Sequence, residues 1–212
     1  MTTALEELLG RRDRDDRFDT PPGELLALQM EAAQERFAAH VEQIPLLGNR
    51  AEAGGVTVIK SPEDLVPVLF AHNTYRSYGE SWLADGDWER MGRWLQTVST
   101  YSGGDTFDGV DDLDGWVAGL EQSGRFVACS SGTTGRPAML GATEADIEFG
   151  SQANVSAFTW ATGIAPARDR RFFGLGPRTN VTRNERIRQA LVDAFHDPGI
   201  DDYQLPLPMI TT

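Results

Sequence analysis

The chain has 212 residues, 40% of them hydrophobic, and a formal net charge of −13. At this length folding buries roughly 70% of the unfolded surface, enough for one substantial core or two small ones, and the mean hydropathy of −0.35 suits a globular chain. The acidic balance repels a phosphate backbone and excludes nucleic acid and anionic membrane surfaces as expected partners. No stretch approaches the ~18 uncharged apolar residues of a spanning helix. The opening MTTALEELLGRRDRDD sets acids inside its one apolar run, so no secretory leader is readable and a cytoplasmic address is expected.

In chain order, Thr20 followed by Pro21 and Pro22 reads as a helix start with proline in the first turn. Leu25, Leu28, Ala32, Ala33, Phe37 and Val41 continue it on a helical period to about Gln43, closed before Pro45. VTVIK at Val56 to Lys60 alternates as a short strand. Ser61 with Asp64 then caps a helix through about Phe70. Trp88, Met91, Trp94, Leu95 and Val98 share one face of another helix, a stripe that reads as core packing. From Tyr101 to Asp114 the chain is a Gly- and Asp-rich loop whose DGVDDLDG lacks the alternating oxygens, central glycine and distal glutamate of a calcium loop. A short helix follows through about Glu121.

RFVAC from Arg125 is an apolar strand that ends in SSGTTGRP, and MLG resumes apolar character beyond it. Thr143 with Asp146 opens a helix to about Ala161, ended by Gly163 and Pro166. RFFGLG from Arg171 to Gly176 reads as a buried strand, and Thr182 with Glu185 opens a helix through about Phe195. Strands alternating with helices predict an α/β chain with a mostly parallel sheet and flanking helices. Residues 1–120 form a helix-rich N-terminal region in this reading, and residues 121–212 start an α/β core.

The candidate chemistry lies in the segment Ser130 to Pro137. Gly132 and Gly135 let the backbone approach a ligand closely, and backbone N–H groups turned inward suit phosphate oxygens. Ser130, Ser131, Thr133 and Thr134 add hydroxyl donors and Arg136 a permanent charge. The segment fits neither GxxxxGK[ST] nor GxGxxG. A Ser/Thr/Gly hairpin turn is the alternative that composition leaves open. The single cysteine, Cys129, abuts the loop without a neighbouring histidine and reads as a small apolar residue at a strand end. His40, His72 and His196 are too scattered for a metal motif, and no metal ligand is assigned.

SSGTTGRP preceded by an apolar strand resembles the phosphate loop of the adenylate-forming superfamily. The longer stretch SSGTTGRPAMLGATEADI is most similar to its phenylacetate-CoA ligase branch, with the bacterial acyl-protein synthetases linked to luciferase as a second relative. Ala138 stands where many members carry lysine, in a TGxPK pattern, and the favoured branch often lacks that lysine. The resemblance implies that Ser130, Ser131, Gly132, Thr133, Thr134, Gly135 and Arg136 hold the phosphates of ATP with Mg2+. It further implies activation of a small carboxylic acid to an acyl-adenylate, transfer to CoA, and a contribution of Phe173 and Gly174 to the acyl pocket. The superfamily's YGxTE-like motif and late lysine have no counterpart after the loop, where Lys60, the single lysine, cannot stand in. The expectation is therefore an N-terminal portion of the large domain, with catalytic residues unassigned and an exposed sheet edge open to association.

Overall fold

Proline in the first turn starts three early helices, because its missing N–H falls where no intrahelical partner exists. These are α2 (Pro22–His40), α3 (Pro45–Gly54) and α4 (Pro62–Leu65). The computed structural model describes residues 2–16, 19–130 and 136–209. Before α2 stands α1 (Ala4–Gly10), closed at its start by a reciprocal capping box between Thr3 and Glu6. After α4 come α5 (Glu80–Ala84) and α6 (Trp88–Val98). Then follow α7 (Leu113–Gln122), β1 (Arg125–Cys129), β2 (Met139–Thr143) and α8 (Glu144–Thr162). β3 (Phe173–Gly174), α9 (Thr182–Phe195) and β4 (Tyr203–Gln204) complete the order. The chain divides into two compact units, residues 1–78 with 89–104, and residues 79–88 with 105–212. No described helix is long and apolar enough to cross a membrane.

The first unit packs Phe37 of α2, Ala51 of α3, Ile59 and Val68 into a buried cluster, with Leu47, Val56 and Leu65 against it. Glu35 of α2 accepts the otherwise orphaned N–H groups of Ala4 and Leu5 at 2.8 and 2.9 Å, which ties α1 to α2. Trp94 of α6 donates its indole N–H to Ser77 Oγ at 2.9 Å and meets Tyr78 edge-on at 5.1 Å.

Three expectations are corrected here. Pro21, not Thr20, precedes α2 and gives no side-chain cap; the Thr20 hydroxyl instead accepts from Arg11 at 2.8 Å. The close of α2 before Pro45 is as expected, and Pro45 then opens α3. The segment Val56 to Lys60 forms no strand: Ile59 is buried in the helical cluster and its N–H is satisfied by the Gln34 side chain, so no ladder partner is needed. The helix opened by the Ser61–Asp64 capping box ends at Leu65.

In the second unit, β1 and β2 form an antiparallel hairpin with Arg125 opposite Thr143 and Cys129 opposite Met139. β3 and β4 form a separate, parallel pair joined through α9. Among the described residues the chain is thus mixed α/β, but its sheets are two small pairs, one antiparallel, and the expected mostly parallel sheet is not formed. The reason is connection length. β1 and β2 are joined by a short loop and return antiparallel, whereas the long β3–α9–β4 crossover allows parallel pairing.

The N-terminus of α8 follows the sequence closely. Thr143 Oγ1 accepts from Asp146 N–H, and the Asp146 carboxylate accepts from Thr143 N–H at 2.8 Å. Gly163 ends the helix at φ 68°, a left-handed conformation that favours glycine. Thr143→Ala is expected to cost about 1 kcal/mol in chemical denaturation, because the N-cap oxygen is lost while the exposed side chain buries little. A cost below about 0.3 kcal/mol would show that the cap contributes little to stability.

Candidate functional site

The candidate segment Ser130 to Pro137 connects the two strands of the β1–β2 hairpin. Ser130 N–H donates to Ala138 C=O at 2.9 Å, and Ala138 N–H donates to Ser130 Oγ at 2.8 Å. These two bonds bring the ends of the segment together one step beyond the Cys129–Met139 pair. Ser131, Gly132, Thr133, Thr134 and Gly135 lie outside the described residues. Arg136 is exposed on the return side of the loop.

Ser130 has a role the sequence reading did not assign. Its hydroxyl oxygen, expected to serve a phosphate, accepts a backbone N–H at the neck of the loop. A hydroxyl at the first position of a loop between two apolar strands is the signal, since Ser readily satisfies nearby backbone donors.

The hairpin rests on helices. β1 packs on α7 and α9, and β2 runs directly into α8. Phe126, Val127 and Met139 are buried on it, and Trp116 and Leu120 of α7 are buried completely. Trp116 stacks on Trp88 at 6.0 Å and lies 6.2 Å from Phe107. Trp88 in turn donates its indole N–H to Val110 C=O at 2.8 Å. At the start of β1, Arg125 pairs with Asp105 at 3.0 Å. The entry to α9 is tied to α7, with Asn180 donating to Asp114 at 3.2 Å and the Thr182 hydroxyl donating to Glu121. Thr182 therefore lies inside α9 rather than capping it, and Val181 in the cap position gives no side-chain bond. Glu185, expected to complete that cap, is held by Arg188 and Arg178, which lower its carboxyl below the usual range.

Two acids of the Gly/Asp loop have structural roles. Asp112 caps α7 by accepting from Gly115 N–H at 2.8 Å, and Asp105 holds Arg125. Among the described residues no three His, Cys, Asp or Glu side chains gather in a way that could hold a metal ion.

Cys129 is half-buried beside the loop. Burial first, then the negative charge of Asp114, push its thiol up to about 11. A thiol held protonated near neutral pH is a poor nucleophile.

Phe173 and Gly174 lie in the β3–β4 pair, a different sheet from the hairpin. The expected buried strand from Arg171 to Gly176 is reduced to these two residues. Phe173 is 57% exposed and leans on Tyr203 at 6.1 Å. A Cβ at Gly174 would come within 2.1 Å of Gln204 Oε1, the end of a flexible side chain that would have to move aside. A polar groove of about 390 Å³ between α8 and α9, lined by Glu148, Gln152, Arg186, Gln189 and Asp193, includes neither Phe173 nor Arg136.

No protein-family model, curated protein or solved structure matches this chain.

Proposed function

We propose that the hairpin loop from Ser130 to Arg136 binds the phosphates of ATP, in a protein that activates a carboxylic acid with release of pyrophosphate. The observation that carries this reading is the neck itself: β1 and β2 run antiparallel and the Ser130–Ala138 bonds pin the two ends of SSGTTGR. A glycine-rich loop anchored at both ends loses less conformational freedom on ligand binding than a free one, and its N–H groups suit phosphate oxygens. Arg136 adds the charge. Mg2+ belongs to the same reading as a companion of the triphosphate, since that ion keeps several waters and is commonly held through substrate phosphates with few protein ligands.

In this reading a carboxylate oxygen attacks the α-phosphorus, the bond to the β-phosphate oxygen breaks, and pyrophosphate departs. The thiol of CoA then attacks the acyl carbon and AMP leaves, giving a thioester. The loop's contribution is to hold the triphosphate for in-line attack and to offset developing charge. A cytoplasmic location belongs to the same proposal. A second reading is a chain that binds nucleotide without turnover.

Titration of Mg-ATP into the purified chain by calorimetry tests the first step. Saturable binding is expected, with Arg136→Glu weakening it roughly tenfold or more, because the cation is replaced by an anion beside the phosphates. Absence of binding by the folded chain would sink the reading. Pyrophosphate exchange in the same sample separates the two alternatives: exchange supports activation, and binding without exchange supports the second.

A further inference from the structure

We propose that the outer edge of β3, the side turned away from β4, docks an extended polypeptide segment in which apolar residues are flanked by acids. Three independent features converge on that chemistry. The first is the backbone. Phe172 C=O accepts from Tyr203 N–H at 3.1 Å and Gly174 C=O accepts from Leu205 N–H at 2.8 Å. In a parallel ladder the alternate residues turn their groups the other way. Arg171, Phe173 and Leu175 therefore present N–H and C=O outward, and among the described residues their backbones bond to nothing. Such a row is a template for one more strand, and only a strand satisfies its spacing.

The second feature is apolar. Phe173 and Leu175 are 57% and 69% exposed, and Tyr203 beside Phe173 is 44% exposed. Strand geometry puts the side chains of residues 171, 173 and 175 on one face. A strand added at this edge would cover Phe173 and Leu175 with its own alternate apolar residues.

The third is charge. Residues 168–178 carry Arg168, Arg170, Arg171 and Arg178 against the single acid Asp169, in a chain whose net charge is −13. Arg170 is paired with Asp169 at 2.6 Å and Arg178 with Glu185. Arg168 and Arg171 are exposed and form no ion pair among the described residues. The acids Asp201 and Asp202 precede β4, across the ladder from the outer edge. An acidic segment is thus attracted where a basic one is repelled. The proposal does not depend on ATP binding at the hairpin.

The test uses the full chain and a fluorescein-labelled probe peptide, Glu-Val-Thr-Val-Thr-Leu-Glu. Two counterparts serve as controls, one with lysine at both ends and one with proline at its centre. The acidic probe is expected to bind at least about fivefold more tightly than either, since the one control reverses the charges and the other removes a ladder donor. Hydrogen exchange at Phe173 and Leu175 is expected to slow when it binds. Leu175→Pro, which deletes an N–H that no protein group uses, is expected to abolish the difference between the acidic and proline probes. The double variant Arg168→Glu, Arg171→Glu leaves the backbone intact and is expected to reverse the preference towards the lysine probe. Far-UV circular dichroism confirms that each variant is folded. Equal affinity for all three probes, protection confined to other segments, or a charge preference unchanged in the double variant overturns the proposal. Concentration-dependent dimers that vanish in Leu175→Pro overturn it too, by showing a second copy on the edge.

Discussion

Trp116→Ala is expected to remove about 3–5 kcal/mol from the stability of the second unit. Trp116 is fully buried on α7, stacked on Trp88 and flanked by Phe107, beneath the hairpin strand β1. Deleting the ring leaves a cavity between elements that cannot close without moving α7. The loss is comparable to the whole stability of a marginal domain, so the hairpin should melt with it. Trp116→Phe separates packing from polarity. Among the described residues the indole N–H has no hydrogen-bond partner, and its removal relieves an unsatisfied donor while part of the ring contact is lost. The two effects oppose each other, and a change under about 1.5 kcal/mol is expected. Urea denaturation followed by hairpin-specific amide exchange reads both variants. Equal destabilisation by Phe and Ala would mean that shape alone does not govern this site.

A second large effect is expected at alkaline pH. The folded thiol of Cys129 is pushed up to about 11 from an ordinary 9.0, chiefly by burial. The folded state therefore holds this proton more tightly than the unfolded chain. The resulting stabilisation is complete below pH 9 and is lost as pH rises through about 11. The gap between 9.0 and about 11 corresponds to on the order of 2–3 kcal/mol. Denaturation at a series of pH values should show that decline in the parent chain and a flatter profile in Cys129→Ala over the same window. Identical slopes in the two proteins would place the alkaline loss in other groups. The same burial predicts slow alkylation by iodoacetamide near neutral pH.

Two helices were readable from one local signal each. The apolar period of α6 and the Thr143–Asp146 box of α8 both specify a helix without reference to the rest of the fold. The hairpin strands were equally legible from RFVAC and MLG, since apolar runs flank a loop of small residues. Other signals depended on partners that local sequence does not name. VTVIK has strand character, but Ile59 is captured by helices α2 and α3 and by the Gln34 side chain. RFFGLG is apolar enough for a buried strand, yet among the described residues only Tyr203 and Gln204 pair with it, and Phe173 stays exposed. Pro45 carried two meanings, the end of one helix and the first turn of the next, and the spacing fitted either. At the candidate site the sequence identified the loop, whereas the neck bond from Ala138 to Ser130 Oγ required knowing the register of β1 and β2.

The chain crosses between its two units three times, after residues 78, 88 and 104. Met91, Trp94, Leu95 and Val98, all buried, belong to the return segment of the first unit. During synthesis the first 78 residues therefore leave the ribosome without the aromatic and aliphatic side chains that complete their core. They must wait for residue 104 to emerge. A nascent chain stalled between those points would hold Tyr78 without the ring of Trp94, which makes this interval the one in which chaperone capture or premature cleavage should concentrate.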